Sequence, residues 1–510
     1  MIWKKYTGEI SDPAIPMLFD YSYAGYRLGE VGIPDTHEGL KTFDVTEYGA
    51  VANDDISDQE AIQSAIGAAE MDGGGIVFFP PGRFLVNVAP EKTDPVRITS
   101  SNIILRGSGM GQGGTTIEMK DHMLRRYSEE PEWRVSYMFV FEPEEKSEPR
   151  STVVTTNAAE GELTIEVENT GLFEGAKYLQ LKLLNSLAAV ETALAGKPVR
   201  PHWERIREEG VSYYEIHEIK EITGNTITLS DPLVNDVEAA LDWRAYQYEP
   251  LTDVGVEDIH FRANFSDKFE HHKDFIHDNA WSIVSMNTVA SSWVRRCRFS
   301  NVTGAVSLSD SYASSVLMLV VDGNSGHKLT NVAQSSRILT GLITDLSTDG
   351  QFHGASMSHY TSGSVIWRVD NPKQGWDSHA QVPKNNLVDL YEGAKMTAHG
   401  GNFRNEPHHL RGLTLWNYER IGEPVVDYDF WSMSGRGMYW GFSVVDPIIV
   451  GFHGSQTTFD EHSVGYLESL GKAVLPASLY EAQLKHRLGE LPAWLERAKA
   501  EWQKIEPNNR

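Results

Sequence analysis

An all-β solenoid of stacked rungs is the fold this sequence predicts, and three observations predict it. From Trp281 to about His453, strand-length apolar runs alternate with polar turns rich in Gly, Asn, Asp and Ser. The runs are Trp293–Phe299, Ala305–Leu308, Ser315–Val321, Ile338–Ile343, Ser364–Val369, Leu387–Tyr391, Leu413–Asn417 and Tyr439–Val445. No stretch of helical period separates them. They recur roughly every 20–30 residues, the spacing at which one rung stacks on the next. A lone rung cannot bury its apolar face, but stacked rungs share one continuous core and project their turns along an outer groove.

Taken in order, residues 1–42 are irregular and rich in Gly, Pro and Tyr, with the cluster Asp20–Tyr26, and read as an arm packed over the solenoid. A helix follows Asp55. Ser57 is placed as its N-cap, with Glu60 closing a capping box. Ile62, Ala65, Ile66 and Ala69 fall on one face at helical spacing, and Gly73–Gly75 ends the helix. Such a helix laid across the first rung covers an open end. Short strands follow at Ile76–Phe79, Arg83–Val88, Val96–Thr99 and Asn102–Gly107, and Gly107–Gly114 reads as a wide turn. That glycine run has neither the Lys-Ser/Thr ending of a phosphate loop nor a strand–helix setting.

The run FDVTEYGAVANDD…DQEAIQSAI…GGGIVFFPPGRFLV, from Phe43 to Val86, resembles the N-terminal signature of the pectate-lyase-like superfamily. The resemblance implies a right-handed parallel β-helix and a carbohydrate partner. It leaves the reaction open among lyases, hydrolases, epimerases and tailspike adhesins. The first part of the β-helix with its capping helix is thus expected over 43–143. From 144 to 250 the character changes to alternating strands, Leu163–Val167, Tyr178–Leu183 and Thr226–Leu229, around a charged helical stretch, Pro201–Glu209. This reads as an inserted antiparallel subdomain that walls the groove. The main β-helix with its groove resumes over 251–460. Residues 461–510 form a C-terminal helical segment, broken at Pro492.

Composition narrows the partners. A formal charge of −26 argues against nucleic acid, and an acidic polysaccharide would require a local basic patch. No run of 18 apolar residues exists, so no membrane span is expected. The N-terminus lacks the apolar core of a leader. A glycan-degrading role favours a secreted or periplasmic protein whose leader is removed, with a cytoplasmic location as the alternative. The single cysteine, Cys297, reads as a small core residue. The oligomeric state is left open.

Thirteen of the 18 histidines lie between His260 and His462, which places the working surface there. The densest run, Thr397–Gly412, holds His399, Arg404, Glu406, His408, His409 and Arg411 among glycines and a proline. Its arginines are suited to clamp a carboxylate, and an imidazole to act as base near neutral pH. Gln351–Gly363 adds His353, His359 and Tyr360, one or two rungs earlier. Trp376–Lys384 adds His379, Lys384 and Trp376, the last as a sugar-stacking face. Glu270–Asp278 carries three histidines with Asp274 and Asp278, but its spacing fits no zinc template, and it reads as groove lining.

The first functional reading is a polysaccharide lyase acting on a uronate glycan by β-elimination. The carboxylate must be neutralised, its α-proton removed and the leaving oxygen protonated. Arg404 and Arg411 are assigned to the clamp, His359 or His408 to the base and Tyr360 to the acid. His353, Trp376, His379, Lys384, His399 and His409 are assigned to substrate binding. The sequence assigns no cofactor and leaves metal dependence open. A divalent cation such as calcium is compatible with the chemistry, although the groove aspartate cluster of calcium-dependent pectate lyases has no counterpart here. A glycoside hydrolase is the rival, with Asp377, Asp389, Glu392 and Glu406 as its carboxyl groups. The Asn-Thr-Asp, Asp-Asp and Gly-His-Gly signatures of polygalacturonases are not found in the rungs. A non-catalytic glycan-binding protein is the third reading.

Overall fold

The computed structural model describes residues 1–91, 94–126, 134–144, 150–398, 405–432 and 441–505. The chain winds into a right-handed parallel β-helix. One face is a 17-stranded sheet. Its central strands, Trp293–Ser300, Ser315–Asp322, Leu339–Asp345, Val365–Asn371 and Leu387–Gly393, stack in parallel and in register. A second, six-stranded parallel sheet contains Ser282–Asn287, Gly304–Ser309, Lys328–Ala333 and His353–Ser358. A third column consists of single bridges, Ala290 to Tyr312, Tyr312 to Ser336, Ser336 to Ser362 and Ser362 to Lys384.

The register explains the apolar runs. Val294, Val316, Thr340, Ile366, Val388 and Leu415 lie above one another, as do Cys297, Leu319, Ile343, Val369 and Tyr391. These inward columns are almost wholly buried. Each large apolar side chain so buried contributes about 1.5–3 kcal/mol. Cys297 is part of this core, as its sequence setting predicts. Serines and an asparagine satisfy buried backbone donors at the turns: Ser292 N donates to Ser314 Oγ, Ile338 N to Ser364 Oγ and Ser364 N to Asn386 Oδ1.

Each long strand bends once, at a residue with positive φ: Arg296, Met318, Leu342, Arg368 and Leu390. Left-handed backbone costs a side-chain-bearing residue roughly 1–2 kcal/mol, and nothing in these residue types announces it. The sequence therefore reads Trp293–Phe299 as a single straight strand, where the structure has a corner. Packing on both sides holds the corner in place. Met318 and Leu342 turn outward beneath the C-terminal helices and the N-terminal arm.

The helix Gln59–Met71 covers the first rungs with Ile62, Ala65, Ile66 and Ala69 buried. It begins one residue later than the capping box predicts. Asp58 takes the cap position, but its carboxylate accepts from Val51 N and Leu85 N, so neighbouring rungs outcompete the local box. The run Tyr439–Val445 is also revised. Residues 439 and 440 lie outside the described region, and 441–445 form only bridges, Trp431 to Ser443 and His409 to Val444. The last rungs are instead built by Ile448–Val450 and Tyr466–Glu468. The helices Leu479–Leu488 and Ala493–Ile505, parted at Pro492, lie along the side of the large sheet. Among the described residues no helix is long and apolar enough to cross a membrane.

Within 150–250, six antiparallel strands run from Ser151–Val153 to Arg244–Tyr248 around their own core of Leu179, Leu181, Trp203 and Trp243. Buried polar contacts fasten this insertion to the turn columns. Asp231 accepts from Arg337 Nε at 2.9 Å and from Tyr312 Oη at 2.6 Å, and Gln180 donates to Asp310 at 2.9 Å. The insertion is thus fastened along the column of single bridges, where Ile216 N also donates to Ser336 Oγ.

Candidate active site

A strip of imidazoles begins where the strands Lys328–Ala333 and His353–Ser358 of the second sheet start. The register Gly304–Lys328–His353 places Lys328 and His353 side by side on successive rungs. In the next rung Asp377 bridges to Thr397, and Thr397 Oγ1 donates to Asp377 Oδ1 at 2.7 Å. His353 Nδ1 lies 2.6 Å from Asp377 Oδ2. A carboxylate only accepts, so this nitrogen carries the proton and Nε2 keeps its lone pair. Asp377 also lies 3.6 Å from His379 Nδ1. The ring centroids of His353 and His379 are 5.1 Å apart, and those of His379 and His359 are 6.5 Å apart and stacked. On the other side, His353 lies 4.9 Å from His327 and 5.3 Å from His271. Four stretches of chain, at 271, 327, 353–359 and 379, thereby deliver one continuous row.

Burial sets the electrostatics. It lowers His353 to about 4, against the opposing pull of Asp377. Burial, His379 and Lys328 together lower His359 to about 3. His327 is pushed well below the ordinary imidazole range, first by burial and then by Lys328. Burial lowers Lys328 as well, with Asp278 opposing. These imidazoles are neutral near pH 7 and offer lone pairs.

From the insertion, Arg205 of the short helix Glu204–Glu208 donates to Tyr360 Oη at 2.9 Å and pairs with Glu406 at 2.7 Å. Tyr360 stacks on Tyr214 of the insertion at 4.5 Å. Burial and Glu406 raise the Tyr360 phenol to about 12, so it keeps its proton. The insertion and the strip meet at the turn His359–Tyr360, where both residues have positive φ. Strained turns of this kind collect at working sites.

The structure brings together His353, His359, His379 and Tyr360. His399 and Arg404 lie outside the described residues. The other assignments are revised. Trp376 is only 1 % exposed and packs in the solenoid core, so it offers no stacking face. Lys384 is buried and donates to Asn235 Oδ1 and Val234 O, anchoring the insertion. His409 donates to Leu410 O and accepts from Asn386, which uses both nitrogens. His408 is 1 % exposed, its Nδ1 accepts from Ser443 N at 3.1 Å and lies 2.8 Å from Ser443 Oγ, and burial lowers the ring to about 3. Arg411 is exposed and shares a separate cavity with Lys384, Tyr213 and Asp236. Among the hydrolase carboxyls, Asp389 is buried and accepts from Ser478, Leu479 and Tyr480 at the start of a C-terminal helix. Glu392 lines a cavity of roughly 590 Å³ between those helices and the large sheet. Charged walls there are already paired, Arg368 with Glu481 and His453 with Glu419.

Sequence reasoning missed Lys328, His327 and Arg205. A signal exists for the first two: Gly326-His327-Lys328 opens the strand one rung before Phe352-His353-Gly354, so aligning the rungs exposes the pair. Nothing marks Arg205 among the charges of 201–209.

Fold and site define a parallel β-helix protein that carries a row of largely buried imidazoles. Residues 42–130 match the family described as rhamnogalacturonase A/epimerase, pectate lyase-like. Residues 350–498 match a domain of unknown function, DUF4955, and this stretch contains His353, Asp377, His379 and Glu406. Over 79 residues, 16 % of the chain, it is 40 % identical to mannuronan C5-epimerase AlgE6 of Azotobacter vinelandii. Over the same length and share it is 38 % identical to alginate lyase 7 of that organism. Each match spans 9 % of the relative's own length. Among solved structures, the tailspike gp49 of Pseudomonas phage LKA1 aligns over 84 % of this chain and 77 % of its own, at 12 % identity and a TM-score of 0.48. The AlgE6 A-module of Azotobacter vinelandii aligns over 84 % and 94 %, at 12 % identity and a TM-score of 0.38.

Proposed function

We propose that this protein acts on a uronate-containing glycan by removing the proton α to the sugar carboxylate, and that it completes a β-elimination. The observation that carries the reading is Asp377 set between His353 and His379, 2.6 and 3.6 Å from their Nδ1 atoms. The carboxylate fixes the His353 proton on Nδ1, which leaves a lone pair on its Nε2, and it lies close behind the His379 ring. His379 is the partly exposed member and serves as the base, with His353 behind it. Lys328 supplies positive charge beside the strip and faces the substrate carboxylate. Tyr360 keeps its proton and donates it to the leaving oxygen, held in place by Arg205.

The matched relatives lend support, because their names pair C5-epimerases with an alginate lyase. Both reactions start from the same carbanion. Elimination expels the 4-oxygen, whereas epimerisation returns a proton to the opposite face. A hydrolase needs two carboxyl groups flanking one bond. Here Asp377 and Glu406 are engaged by His353 and Arg205, and Asp389 caps a helix.

The test is incubation with alginate, pectate, ulvan-type and glycosaminoglycan polymers in heavy water. Ultraviolet absorbance reports unsaturated ends, and NMR reports deuterium at C5. Unsaturated product supports elimination. Deuterium without unsaturation corrects the reading to epimerisation. New reducing ends without either signal overturn it in favour of hydrolysis.

A further inference from the structure

We infer that His271, His272 and His327 form a binding site for a divalent transition-metal ion of the zinc type. The inference rests on geometry and holds whether or not the substrate is a uronate. The donor atoms of the three imidazoles all lie within 4.8 Å of one another. A tetrahedral ion with bonds of about 2.0–2.1 Å needs donors about 3.3 Å apart, a change that small ring rotations supply.

Asp278 organises the set. Its Oδ2 lies 2.8 Å from His272 Nδ1, and its backbone carbonyl lies 2.8 Å from His327 Nδ1. Both partners only accept, so both Nδ1 atoms carry protons and both Nε2 atoms present lone pairs. A carboxylate or carbonyl behind the ring is the usual support of a metal-bound histidine. His327 is 2 % exposed, and its Nε2 is buried with no hydrogen-bond partner. A buried polar atom left in that state is costly unless a ligand meets it. The loop that brings the other two rings holds His272 at φ 56°, and His271 stacks on Phe352 at 4.3 Å.

Nitrogen donors select zinc, cobalt or nickel over calcium, which takes oxygen ligands. Lys328 also faces this region, and the Asp278 carboxylate offsets it. Three protein ligands leave one position for water or a substrate oxygen. His353, with its ring 4.9 Å from that of His327, stands next to this position.

The test begins with full-length protein stripped by a chelator and titrated with Co²⁺, then Zn²⁺. Visible absorbance, metal analysis after dialysis and melting temperature are followed. The expected result is one equivalent bound, a tetrahedral Co²⁺ spectrum and a raised melting temperature. Because His327 is buried, His327→Ala is paired with His272→Ala at the exposed position. Each is expected to weaken binding at least tenfold, while exposed His462→Ala leaves it unchanged. Absence of stoichiometric binding overturns the assignment. So does binding that survives His272→Ala but is lost in His379→Ala, which moves the ion to His353, Asp377 and His379. None of the three readouts depends on the glycan, so failure of the proposed reaction leaves this result standing.

Discussion

Asp231 and Arg337, 106 residues apart in the chain, meet at 2.9 Å with both side chains fully buried. His217 completes the contact, with Nδ1 3.1 Å from Asp231 and Nε2 3.0 Å from Glu215. Since these atoms join the insertion to the rungs, its docking depends on their charge. Burial alone lowers His217, but Asp231 and Glu215 reverse this and raise it to about 9. Burial likewise raises Asp231, and His217 and Arg337 bring it down to about 2. The His217 contribution to stability is therefore complete below the unfolded value of 6.5 and is lost as pH rises through about 9. The Asp231 contribution is complete above 3.8 and is lost as pH falls through about 2. Melting temperature measured from pH 6 to 10 is expected to fall across the upper window. His217→Gln is expected to flatten that slope while lowering stability at neutral pH. A wild-type curve flat to pH 10 would show that the histidine is not held charged.

Trp376 separates packing from recognition. It fills the core beside Met396 and Tyr391, and its backbone N donates to Tyr418 Oη. Trp376→Ala is expected to cost about 3–5 kcal/mol in denaturant unfolding, the usual range for a buried aromatic cut to alanine. Glycan affinity of the folded fraction is expected to stay at the wild-type level. Lost affinity at unchanged stability would restore the stacking role that its neighbours in sequence suggest.

The rungs were legible because period and burial coincide. Val294, Val316, Ile366 and Val388 are apolar at matching places in successive runs, and the capping helix shows its buried face at helical spacing. The site was legible only as a neighbourhood. Stacking brings together residues about one coil apart, and sequence proximity favours the wrong ones. His408 and His409 sit inside the densest motif yet spend their nitrogens on Ser443, Leu410 and Asn386. His327 carries no local motif and becomes prominent only because the next coil places His353 against it. Arg205 reaches Tyr360 across 155 residues, a contact that belongs to the docking of the insertion.

Arg205 and Tyr360 make distinct contributions to the proposed reaction. Tyr360→Phe keeps the stack on Tyr214 and removes the proton donor. It is expected to lower kcat by about 10²–10⁴ with KM little changed, the range for loss of one general acid. Arg205→Met leaves the Glu406 carboxyl, which burial already raises, without its cation. It is expected to loosen the insertion and raise KM more than it lowers kcat. Steady-state kinetics on the polymer that gives unsaturated product decide the matter. Equal kcat for Tyr360→Phe and wild type would remove the phenol from the reaction.

Asp377→Asn tests the central pair with almost no change in shape. The carboxylate accepts from His353 at 2.6 Å and from Thr397 at 2.7 Å. An amide offers one acceptor and one donor, so His353 must either lose its partner or turn over its tautomer and point a proton outward. The oriented carboxylate–imidazole pair behind His379 is then lost. Turnover is expected to fall by about 10²–10⁴, the cost of losing an oriented base, while the core packing of the rung is unchanged. Hydrogen exchange at C5 separates this from a general loss of structure. It is expected to fall in step with elimination, whereas binding of the polymer persists. Exchange retained with elimination lost would move Asp377 from the base to the departure of the leaving group, and the proton-removing imidazole would then be sought at His359, which bonds Ser358 instead.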